Sequence, residues 1–212
     1  MLFRSGPIGL ATGPTRRRAP VPSGVAFALR ANCGPRWLSG FLLMFLAFLL
    51  RENPPETSLS SEVLVGVVIG AAGAGNALGV AAASVLRRID PRVKVVAALL
   101  VDLGLCVVAT LFYGVLALAL LGLAAGTAQA LAKFCLDATI QRDVPARVQA
   151  SAFARSDTAL QLAWVAGGFV GIVLPLDPAT IGFGVATAVL GAWAVYVLSG
   201  ARATRRPRTA TV

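Results

Sequence analysis

The stretch that decides the fold runs Leu131-Ala-Lys133-Phe-Cys-Leu-Asp137-Ala-Thr-Ile-Gln-Arg142-Asp-Val-Pro145-Ala-Arg147-Val-Gln-Ala-Ser-Ala-Phe153-Ala-Arg155-Ser-Asp157-Thr-Ala-Leu-Gln161-Leu-Ala-Trp164. It is the longest polar, two-signed segment within the hydrophobic part of the chain. One apolar run enters it from Val115 and another leaves it towards Leu174. About 20 helical residues at about 1.5 Å each cross a hydrocarbon core of about 30 Å. Runs of this kind read as membrane helices, and the polar stretch is then a loop with the two helix ends that feed it.

Composition points the same way. The chain is 57% hydrophobic and only 13% charged, against about 25% charged for a soluble domain. Aromatics are few and no long alternating stretch occurs, which argues for helices and against a barrel. The fold class expected is all-α: a polytopic membrane protein with six transmembrane helices.

Outward from the central stretch, six spans are predicted at about 25–50, 62–86, 93–112, 115–140, 147–174 and 179–198. A disordered basic tail over 1–24 precedes the bundle of 25–199, and a basic tail over 200–212 follows it. Gly34-Pro35 either kinks the first span or marks its true start. Pro54-Pro55 stops it. The second span carries Gly66/Gly70 and Gly75/Gly79 at helical spacing, with Asn76 inside the second pair, and this predicts close helix crossings. No strand precedes these glycines, so a dinucleotide fingerprint has no context. Tyr113-Gly114 makes a tight uncharged turn, and Gly122/Gly126 lie in the fourth span.

The net charge of +10 does not point to nucleic acid, because the basic residues cap apolar runs. Six Lys/Arg fall in the amino-terminal segment. Four each fall in the second connection, the fourth connection with its helix ends, and the carboxyl tail, leaving only Arg51 for the opposite side. The positive-inside rule then places both termini in the cytoplasm of a protein of the cell membrane. No histidine occurs, which removes the most common acid–base and metal-binding side chain. Cys33, Cys106 and Cys135 have no disulfide or metal spacing. No enzyme activity, cofactor or metal is expected.

Ionisable groups inside spans cost about 2.5–3.5 kcal/mol each on insertion scales, so they need partners or water. Asp102, Lys133, Asp137 and Arg155, with Asp157, are therefore candidate coupling sites or structural ion pairs. By rise per residue, Asp102 and Lys133 lie about 13 and 12 Å from the same boundary, which predicts a direct or water-bridged pair. Phe153, Asp157, Gln161 and Trp164 share one helical face. That face either lines a cavity or packs on a neighbour.

At this point a resemblance enters. Gly79 to Arg88, ending in Arg87-Arg88 before Asp90-Pro91-Arg92, is similar to the Gly-rich basic signature between the second and third helices of a major facilitator superfamily (MFS) half. Ala83 and Leu86 stand where that signature usually has an acid and a glycine. Gln141-Arg-Asp-Val-Pro-Ala-Arg147 resembles the loop before the family's eleventh helix, and Arg51-Glu52-Asn-Pro54 follows the first span as in many bacterial members. The resemblance covers about 26–198 and implies the carboxyl-terminal six-helix half. It implies that Thr127 and Gln129, on a central cavity-lining helix, contact a small solute together with Asp157 and Gln161. It gives Gly79, Arg87, Arg88 and Asp90 a loop-motif role in topology and gating. The function implied is secondary transport of a small molecule, with proton-coupled drug or metabolite efflux as one form. The alternative is a non-transporting membrane module, a half that pairs with another subunit. The partners expected are the lipid bilayer, an unknown solute, and a second copy or a separate amino-terminal half. A single six-span chain is not expected to transport alone.

Overall fold

In the computed structural model, residues 22–86 and 88–203 are described, the last three as backbone only. The expected tail over 1–21, Arg87 and the arginines beyond 203 lie outside the described residues. Six helices follow in order: α1 (Ser23–Glu52), α2 (Ser61–Val85), α3 (Pro91–Leu111), α4 (Val115–Asp143), α5 (Ala146–Val173) and α6 (Ala179–Ala203). All six are long and apolar enough to cross a membrane, and no strand occurs among the described residues.

The helix ends follow from local chemistry. The Asp90 carboxylate accepts the Arg92 amide at 2.7 Å, and Pro91 begins α3, where its missing N–H costs nothing. The helix thus starts two residues before the expected Val93. Pro145 likewise sets the entry to α5. At the far end of α1, the Asn53 amide closes on Leu49 O before Pro54-Pro55. Helix α1 does not restart at Pro35: it continues through it, with Gly34 and Pro35 both buried. At about 1.5 Å per residue its 30 residues reach about 45 Å.

Two helices form the centre. Along α1 and α4, 56% of the apolar window is buried, against 17% for α2 and 28% for α3 and α5. Helix α5 lies along α1 and α2 along α4, while α3 and α6 pack behind the central pair. Phe41, Phe45, Leu38 and Leu49 of α1, Leu121 of α4 and Phe183 of α6 are fully enclosed. The Phe45 and Phe183 rings meet edge to face at 5.4 Å.

Small residues make the two lateral pairings possible. A side chain at Gly75 would strike the Leu123 carbonyl, and one at Gly126 the Ala72 carbonyl, so α2 and α4 touch backbone to backbone. Gly40 and Gly167 do the same between α1 and α5, against the Trp164 and Trp37 carbonyls. Gly66 and Gly70 depart from expectation. A Cβ added at either would meet nothing within 4 Å, because α4 runs along the other side of α2. Spacing identified both glycine pairs, but only rotation about the helix axis decides which pair meets a neighbour.

The first turn of α1, the α2–α3 turn and the end of α4 gather at one end of the bundle, where Ser23, Arg88, Arg92, Arg142 and Asp143 border a shared recess. At the other end the Tyr113 hydroxyl donates to Asn53 O at 2.7 Å. Burial pushes its phenol up to about 12, so it stays a donor at neutral pH. Outward-facing side chains such as Leu78, Val101, Leu162 and Phe169 are exposed and apolar, as those of a lipid-facing surface would be.

Candidate functional site

Three helices bring their polar residues together. Asn32 and Arg36 lie four residues apart on one face of α1. Gln129, Lys133 and Asp137 repeat that spacing on α4, as do Asp157 and Gln161 on α5. Asn32, Arg36, Gln129, Lys133, Asp157, Leu160 and Gln161 enclose a pocket of about 280 Å³. Counted at about 1.5 Å per residue, Asn32, Lys133 and Asp157 each lie about 15 Å from the basic end of the bundle.

The Lys133 ammonium is claimed by two carboxylates, Asp157 at 2.6 Å and Asp137 at 3.0 Å. One Arg36 nitrogen donates to Gln161 Oε1 at 3.3 Å. Arg36 makes no ion pair among the described residues. Its Nε is buried without a hydrogen-bond partner, as are Asn32 Nδ2 and Gln129 Oε1. Buried polar atoms without partners are rare because each costs about 1–3 kcal/mol. Here three of them sit around one cavity.

Arg36 and Gln129 also border a second space of about 280 Å³, a groove between α1, α2, α4 and α5. Its walls are Leu42, Leu46, Val68, Ile69, Ala125 and Trp164, and its polar members besides Arg36 and Gln129 are Ser39 and Asn76. The two cavities share Arg36 and Gln129 in their walls.

Several expected residues sit elsewhere. Asp102 does not meet Lys133. It is fully buried on α3 and neither carboxylate oxygen has a partner. The two residues match in height but not in direction. Lys133 faces α5, whereas α3 packs on α4 through Val95 against Leu131, Ala132 and Cys135. Arg155 is exposed and makes no ion pair among the described residues. Thr127 does not border either cavity. Its hydroxyl lies 2.8 Å from Leu123 O and 3.0 Å from Gly75 O, where it ties α4 to α2. Gly79 packs under Thr127 O and Ala130. Asp90 caps α3 and Arg88 is exposed. Along the polar face of α5, Phe153 packs with Leu136 and Ile140, Asp157 meets Lys133, Gln161 meets Arg36, and Trp164 walls the groove.

Sequence reasoning gave Asn32 and Arg36 no part in a site. The signal was there: two polar residues four apart on one face of a long, mainly apolar helix. Among the described residues no group of three or more His, Cys, Asp or Glu is placed to hold a metal.

Fold and site together define a helical membrane-type bundle with a polar pocket and an apolar groove between its central and lateral helices. An uncharacterized protein of Mycobacterium leprae (strain TN) is 32% identical over 175 residues, a match that covers 82% of this chain. The chain spans 30% of the length of that relative. No family profile matches the chain, and no solved structure matches it.

Proposed function

We propose that the chain is a six-helix half of a secondary transporter of the MFS type, oriented with its basic end in the cytoplasm, and that a small solute passes along its α1–α4 face. The observation that carries the proposal is the pocket between α1, α4 and α5, where buried Asn32, Arg36 and Gln129 atoms lack partners beside the Lys133–Asp137–Asp157 network. Ionisable residues kept within apolar helices mark substrate or ion paths in membrane proteins. The arrangement of the helices supports the same reading. In such transporters the path lies between two bundles and alternates access as they rock. Helices α3 and α6 here close the back of the bundle, while the groove opens between the others.

In this reading Asp157 and Asp137 are the coupling carboxylates, exchanging Lys133 for a proton. The same face seats a second bundle, supplied by another copy or by further chain. A non-transporting module that pairs with another subunit would present the same groove without flux. Purification in mild detergent, mass measurement and reconstitution separate the readings. The single chain is expected to show no flux as a monomer and to gain it only with a second bundle. Flux from a strictly monomeric species would overturn the half-transporter reading.

A further inference from the structure

We infer that the two cavities, which share Arg36 and Gln129 in their walls, take one amphiphilic anion, its acidic head in the Arg36 pocket and its apolar body in the groove. The inference rests on the transport reading for its purpose, but its binding chemistry stands on the side chains alone.

The sign comes from Arg36. Lys133 is neutralised by two carboxylates, whereas the Arg36 guanidinium makes no ion pair among the described residues, hydrogen-bonds only a neutral amide and keeps a buried Nε without a partner. A guanidinium presents its donors in a planar fork that suits carboxylate or phosphate oxygens. Asn32, 1% exposed, and Gln129 each add a buried amide atom without a partner. Either amide can turn to donate or accept, so they suit a head that mixes oxygen atoms with a hydroxyl or amide. Asp157 also lines the pocket, held to Lys133 at 2.6 Å. A head carrying a positive charge would have to displace that lysine and also lie beside Arg36.

The shape comes from the groove. Beyond Arg36 and Gln129 the wall becomes Leu42, Leu46, Val68, Ile69 and Trp164. A small hydrophilic anion would leave this wall unfilled, and a purely apolar ligand would leave the three polar atoms unpaired. Burying apolar ligand surface drives occupancy of the groove, while the few polar groups fix orientation.

The test uses the full chain in lipid nanodiscs, with radiolabelled 1-naphthylacetate as probe and 1-naphthylmethylamine, 1-naphthaleneethanol and acetate as competitors. The acid is expected to bind saturably, and acetate and the amine to compete at least about tenfold more weakly than unlabelled acid, as loss of the groove contacts or of a charged hydrogen bond implies. Arg36→Gln should weaken the acid by at least about tenfold and leave the neutral alcohol nearly unchanged. Ile69→Ala, on the exposed groove wall, should weaken acid and alcohol by similar factors. Arg155→Gln, which removes an exposed charge away from both cavities, should change nothing. The alcohol result shows whether the Arg36 variant is folded. Equal affinity for amine and acid, no saturable binding of the acid, or unchanged acid affinity in Arg36→Gln would overturn the inference. Flux is read separately in vesicles. Binding without flux from an assembled pair of bundles would refute transport and leave the anion site standing, whereas flux indifferent to Arg36→Gln would refute the site alone.

Discussion

Gly79→Ala adds one methyl group to α2 at its contact with α4. A Cβ there would stand 2.5 Å from Thr127 O and 2.7 Å from the Ala130 methyl. Ordinary van der Waals contact begins at 3.4 Å, so the helices must part by about 1 Å. The Thr127 hydroxyl bonds Gly75 O one turn away at 3.0 Å, and the same displacement would stretch that contact to about 4 Å, beyond hydrogen-bond range. Overpacking of this kind costs about 1–3 kcal/mol. Losing an interhelical hydrogen bond in a membrane-type bundle adds about 0.6 kcal/mol. For a chain of this size the total lowers the melting temperature by about 3–14 °C. Gly70→Ala, on the same helix with nothing within 4 Å, should melt with the parent or slightly above it, since Ala favours a helix over Gly by up to about 1 kcal/mol. Thermal unfolding in mild detergent, followed by size-exclusion fluorescence, compares them directly. A Gly79→Ala protein that melts like the parent, or a Gly70→Ala protein that falls as far, would refute the packing argument.

Three further outcomes are expected. Lys133→Met leaves Asp137 and Asp157 without their cation. Because Lys133 and Asp157 side chains are 36% and 57% exposed, solvent limits the loss to under about 1 kcal/mol, and adding Asp157→Asn should restore part of it. A double variant no more stable than Lys133→Met would show that the network is not what holds α4 to α5 there. Asp102→Asn keeps the shape of a fully buried side chain that has no partner. It should therefore melt no lower than the parent, and a clear drop in unfolding temperature would reveal a partner the carboxylate needs. In a cysteine-free background, single cysteines at Thr57 and Asp177 should label from outside intact cells, and one at Ile89 only after permeabilisation. Labelling of Ile89 in intact cells would reverse the proposed orientation.

The sequence by itself determined the number of helices, their order and nearly all their ends. Long apolar runs have one economical use, and Pro, Asp and Gly at their borders fix where each helix starts and stops. Asp90-Pro91 is the clearest case, since the cap and the first helical residue are adjacent in the chain. Pro35 is ambiguous in sequence because a proline can open a helix or be carried within one, and the unbroken helix from Ser23 to Glu52 settles which. The sequence also exposed the face of α5 that carries Asp157 and Gln161, since a helical face depends only on spacing. What it could not supply was which face meets which. Gly66/Gly70 and Gly75/Gly79 share a spacing, yet one pair opens outward and the other lies on α4. Asp102 and Lys133 share a height, yet they point to different neighbours. Thr127 reads as a site residue from its place on a central helix, but its hydroxyl is shared between Leu123 O and Gly75 O. The pocket around Asn32, Arg36 and Gln129 arises only where α1, α4 and α5 converge, because rise along a helix is local, whereas rotation about its axis is set by packing against the other five.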